Sequence, residues 1–151
     1  MQGDTLDNLE KEKDYIYSID FNQILKKMED YSGWLKDDAL KTCHQYRNYL
    51  FLKKKYFDVP LPPSLDIDLF WHEHILDTKK YIEDTHIIFG RYLHHYPYFG
   101  MDGHYTADDA AKCFQMTQDL YFKEFGEKLY PTRSRFPRAL YSWMYKFKSF
   151  M

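Results

Sequence analysis

Stretches of this chain repeat apolar residues at intervals of three and four, and no stretch of useful length alternates them. Phe21, Ile24, Leu25, Met28 and Tyr31 lie at i, i+3, i+4, i+7 and i+10, which is one face of a helix. Ser18 or Asp20 offers a start signal and Gly33 a stop. Leu35, Ala39, Cys43, Tyr46, Leu50 and Phe57 trace a second stripe, with Asp37 and Asp38 early and Lys53, Lys54 and Lys55 late, as the helix dipole favours. The prolines of VPLPP, residues 59–63, fix φ and remove amide donors, so that helix stops there. Ser64 opens a third helix reaching about Leu76, and Asp77 or Thr78 begins a fourth reaching about Leu93. After the irregular HHYPYFGMDGHY, the TADD of Thr106–Asp109 reads as a capping box for a fifth helix, which presents Ala110, Cys113, Phe114, Thr117, Leu120 and Tyr121 and closes at Gly126.

These signals predict an all-α fold, a compact bundle of about five to six helices with a His/Tyr/Gly-rich loop between helices four and five. Residues 1–16 carry charges without a period and read as a loose acidic arm. Residues 17–151 read as a single helical domain with an aromatic C-terminal tail, in which Trp143, Phe147 and Phe150 would share one face of a short helix.

Composition narrows the function classes. A net charge of -2 supplies no field to gather nucleic acid or an anionic membrane. No apolar run approaches the roughly 18 residues needed to span a bilayer. The polar opening MQGDTLDNLEKEKD is unlike a secretion signal, and Cys43 and Cys113 read as free thiols of a reducing compartment. The expected location is therefore cytoplasmic, or that of a protein delivered by a specialised secretion system without a cleavable signal. No glycine-rich phosphate loop, flavin signal or nucleophile elbow is present. Adjacent Cys43 and His44 point about 100° apart on a helix and do not make a dyad.

The chemistry concentrates in DLFWHEHILDTKKY, residues 68–81. A zinc-protease HExxH places two histidines four apart, but the residue four after His72 is Leu76 and the one four after His74 is Thr78. His72 and His74 are about 200° apart around a helix, so at most one serves a given helical site. Asp68 with His72, and His74 with Asp77, do share faces. Imidazole with carboxylate suits zinc or ferrous iron, and two histidines with one carboxylate make the facial triad of non-haem iron enzymes. The missing donor is expected from His94 or His95, because an antiparallel helix pair returns that end of the chain near Asp68 and His72. The metal set expected is thus Asp68, His72, His94 and His95, with His74, Asp77 and Asp84 behind it.

The segment DIDLFWHEHILDTKKYIEDTHIIFGRYLHHYPYFG, residues 66–100, resembles the helical core of the glycine-rich domain-containing protein family. The resemblance is carried by WHxHILDT at 71–78, Tyr81, Asp84, FG at 89–90 and LHHYPYFG at 93–100. The chain departs from that pattern at Thr85, where a cysteine is frequent, and with only 6 glycines it lacks the glycine-rich extension. The resemblance points to Asp68, His72, His74, Asp77, Asp84, His94 and His95 as the polar set of the module. Two functional expectations follow. One is a divalent-metal site of Asp and His, holding zinc or iron, in support of hydrolytic or oxidative chemistry. The alternative is a non-enzymatic adaptor or regulator that binds a protein partner through its aromatic surface.

Overall fold

The computed structural model describes residues 2–129, and side chains from residue 7 onward. The expected tail helix bearing Trp143, Phe147 and Phe150 lies outside the described residues. Among the described residues six helices follow one another: α1 (Gln2–Ser18), α2 (Asn22–Ser32), α3 (Lys36–Lys55), α4 (Leu65–Leu76), α5 (Thr78–Phe89) and α6 (Ala107–Phe125). Among the described residues there is no strand, and none of these helices is long and apolar enough to cross a membrane.

Helix α3 is the axis of the bundle, packing against α1, α2, α4 and α6, while α5 lies against α4 and α1. Its central position explains a departure from the sequence stripe. Thr42, Gln45 and Asn48 are as buried as Tyr46 and Leu50, because neighbours surround the helix on nearly every side. The ends of the stripes behave oppositely: Leu35 and Phe57 are exposed, and Tyr31 is 86% exposed. At the core, Phe21, Tyr46, Phe70 and His74 meet edge-on or tilted with centroids 5.0–5.8 Å apart, the spacing their quadrupoles favour.

The stretch expected as a loose arm is helical from Gln2 onward. Helix α1 buries Ile16 completely and packs Leu9 and Tyr15 against the core. Some of its charges are paired along and across the helix, Asp7 with Lys11 at 2.8 Å and Glu12 with Lys54 at 2.8 Å. The Arg47 guanidinium donates to the carbonyls of Ile16 and Ile19, each at 2.6 Å, satisfying acceptors at the end of α1 that have no helical partner.

The local signals for the other helices hold, with adjustments. Ser64 Oγ accepts from Ile67 N at the start of α4, and Thr106 with Asp109 forms the reciprocal capping box of α6. The N-cap position of α2 is Phe21, but the neighbouring Asp20 Oδ1 accepts from Asn22 N at 2.8 Å and so serves the start of the helix, whereas Ser18 Oγ donates back to the Tyr15 carbonyl. Helix α5 stops at Phe89 rather than near Leu93, because Gly90 takes φ +69° and turns the chain out of the helix. The His/Tyr/Gly-rich loop consequently spans residues 90–106, between α5 and α6 once α1 is counted. Gly100 at φ +79° is required twice over, since a Cβ there would stand 2.9 Å from Ala110 Cβ on α6. Helix α6 is fastened to α3 and its exit by Asn48 Nδ2 to Tyr121 Oη, Tyr56 Oη to Glu124 Oε1 and Thr117 Oγ1 to the Pro62 carbonyl.

Candidate metal centre

The cap at Ser64 starts α4 so that Asp68 sits in its first turn and His72 one turn later on the same face. Their polar atoms, Asp68 Oδ1 and His72 Nε2, are 3.5 Å apart. The third member is His95, from the irregular segment 92–96 that follows α5. Its Nε2 lies 2.6 Å from Asp68 Oδ1 and 3.2 Å from His72 Nε2. One potential ligand atom from each of the three residues therefore lies within 4.8 Å of the other two. Ligands about 2.0–2.1 Å from a shared ion stand roughly 2.9–3.4 Å from one another; the separations of 3.2 and 3.5 Å are near that range, and the 2.6 Å between His95 and Asp68 is that of a hydrogen bond.

A hydrogen on His95 Nε2 would donate to Asp68 Oδ1 and lie beside His72 Nε2, and the same three atoms are of the kind that ligate a divalent cation. The side chains are neither sealed nor freely solvated, with exposures of 18% for Asp68, 28% for His72 and 14% for His95.

Position is imposed on His95 from two sides. Its ring rests on the Trp71 indole, centroids 4.5 Å apart. The same indole donates from Nε1 to Tyr81 Oη at 2.8 Å, and Tyr81 Oη donates to the Leu93 carbonyl at 2.6 Å. Leu93, two residues before His95, is buried.

His94 is not brought to the site: it is exposed, with its ring against Tyr92. Asp77 is exposed at the junction of α4 and α5. His74 and Asp84 form a separate cluster in the core. His74 Nε2 is 2.9 Å from Asp84 Oδ2, and Tyr46 Oη is 2.9 Å from His74 Nδ1. Tyr15 Oη donates to Asp84 Oδ1 at 2.6 Å, and Lys80 Nζ stands 3.3 Å from Oδ2.

Burial lowers the pKa of His74 despite the opposing pull of Asp84. Burial alone would raise that of Asp84, but hydrogen bonds from His74 and Tyr15, with the charge of Lys80, hold it below the ordinary carboxylate value. A neutral imidazole beside an anionic carboxylate must donate from Nε2 and accept at Nδ1, so the Tyr46 hydroxyl donates. Every polar atom of this cluster is thereby matched, and it joins α1, α3, α4 and α5.

Sequence reasoning missed Tyr15, Tyr46 and Trp71 as partners of the polar set. Lys80, four residues before Asp84 on one helix, was open to the same i, i+4 reading that pairs Asp68 with His72. Cys43 and Cys113 are free, and burial pushes the Cys43 thiol upward, away from a reactive thiolate. Thr85 is buried and donates to the Tyr81 carbonyl.

Comparison with known proteins gives one family. The model of the UCP032817-like family matches residues 11–132, and the chain belongs to that family. No curated protein and no solved structure matches it.

Proposed function

For this member of the UCP032817-like family, we propose that Asp68, His72 and His95 bind one divalent cation, zinc or ferrous iron. The observation that carries the reading is the convergence of one carboxylate oxygen and two imidazole nitrogens within 4.8 Å of one another. Three protein donors are fewer than the four of a closed structural zinc site, and two histidines with one carboxylate suit metals that keep open positions. An ion held this way polarises a bound water or substrate oxygen, which supports hydrolytic or oxidative chemistry. The likeness of residues 66–100 to the glycine-rich domain-containing module belongs to the same proposal. There the histidines and carboxylates of WHxHILDT and LHHYPYFG divide between a metal set and a core network.

The test is elemental analysis of untagged protein beside a His72→Ala, His95→Ala double variant, followed by anaerobic titration with Fe(II) and with Zn(II). About one ion per chain in the wild type, absent from the folded variant, is the expected result. Wild-type protein that takes up neither metal overturns the reading.

A second reading, a partner-binding module, draws on the loop after the site. Tyr96, Tyr98 and Met101 are 51%, 57% and 74% exposed there, and exposed aromatic residues favour interfaces. A Tyr96→Ala, Tyr98→Ala variant should then lose a defined partner while keeping its metal.

A further inference from the structure

The segment that delivers His95 has no regular secondary structure from residue 92 to 96, so no backbone ladder fixes which way its side chains point. Two consecutive histidines stand there, and only the second enters the cluster. The choice is set by how Leu93 is anchored. Its side chain is buried and its carbonyl receives the Tyr81 hydroxyl at 2.6 Å. Tyr81 in turn is fully buried in α5 and accepts from Trp71 Nε1 at 2.8 Å. Trp71 precedes His72 on α4 and carries the His95 ring against its own, centroids 4.5 Å apart. The Tyr81 hydroxyl thus ties the helix that supplies two members of the cluster to the segment that supplies the third.

We propose that Tyr81 is a positioning residue for the metal centre, its hydroxyl holding Leu93 so that His95, rather than His94, closes the set with Asp68 and His72. This rests on the metal reading above. Tyr81 touches no ligand atom; it acts through the backbone of Leu93 and the indole of Trp71. Groups that orient a ligand in this way change metal affinity about 10–100-fold when removed.

Tyr81→Phe keeps the ring and removes the hydroxyl, and the probe is Co(II), whose visible bands report the ligand set. The expected result is a Co(II) dissociation constant about 10–100-fold weaker than wild type. Tyr121→Phe is the control, because Tyr121 is an equally buried tyrosine whose hydroxyl bonds Asn48 at the contact of α3 and α6. It should lower thermal stability yet leave Co(II) affinity as in the wild type. A double-mutant cycle adds the readout that a merely structural role would not move. In a His95→Ala background, Tyr81→Phe should cause no further loss of residual affinity.

Imidazole NMR correlations of the metal-free proteins separate the two ways of failing. In Tyr81→Phe the His95 ring signals should shift or broaden. Unchanged His95 signals, or Co(II) affinity within twofold of wild type, overturn the role of Tyr81. Displaced His95 signals in a protein whose wild type never takes Co(II) would overturn the metal reading and leave the positioning role standing.

Discussion

The two histidines of HEH are two residues apart on α4 and belong to different worlds. His74 is fully buried, and both its ring nitrogens have a partner held by another helix, Tyr46 on α3 and Asp84 on α5. His72 is partly exposed and faces His95 Nε2 at 3.2 Å and Asp68 Oδ1 at 3.5 Å. The difference teaches what separates a buried polar cluster from a half-open one. In the first, each ring nitrogen of the histidine is held by a partner on another helix. In the second, a carboxylate and two imidazoles meet where solvent and ions can reach them.

The sharpest way to break this comparison is to truncate each histidine. His74→Ala removes a buried ring from between Tyr46 and Asp84, and should cost about 3–5 kcal/mol in denaturant unfolding, as for other broken buried pairs. His72→Ala, at the partly open cluster, should cost the metal-free protein less than about 1 kcal/mol. Equal losses would erase the distinction.

Metal should reverse the ranking. With free zinc at 100 times its dissociation constant, wild-type protein should gain about 2.7 kcal/mol of stability by mass action. His72→Ala should gain none. A Tm scan with and without zinc checks both.

Tyr15→Phe deletes one charged hydrogen bond of the core cluster and should cost about 1.5 kcal/mol. The loss would confirm that α1 is part of the body. The Asp84 end of the cluster also carries a pH signature. Its folded pKa lies below the ordinary value of 3.8, so the unfolded chain takes up the proton first as the solution is acidified. The stability Asp84 contributes is complete above about pH 3.8 and is lost as pH falls below it. His74, Tyr15 and Lys80 are the groups that face this carboxylate. The gap between wild type and Asp84→Asn in urea unfolding should therefore be constant from pH 7 to 5 and narrow below pH 4. The smallest effect belongs outside both clusters: Lys27→Ala, which breaks a surface pair with Glu73, should shift stability by less than about 1 kcal/mol.

Much of this was legible in the sequence for local reasons. Helices α2 to α6 announce themselves through caps, prolines and stripes, signals contained within a few residues. Helix α1 escaped because its inward residues, Leu9, Tyr15 and Ile16, are too sparse among charges to set a period. The buried Thr42, Gln45 and Asn48 of α3 broke the rule that polar residues mark the outer face. Asp68 and His72 were readable as a pair because four residues define a helix face. The choice of His95 over His94 was not, because outside a helix no period assigns sides. Tyr15 and Tyr46 reach the His74 cluster from 69 and 28 residues away, which no window on the sequence can see.

The grip of Arg47 on α1 bears on the order in which the chain takes shape. The carbonyls it binds, on Ile16 and Ile19, precede it by 31 and 28 residues. A lone helix of 17 residues is marginal in water, so during synthesis α1 goes without this clasp until α3 has followed. Helix α1 precedes α3 in the chain and gains the Arg47 bonds only after α3 is made.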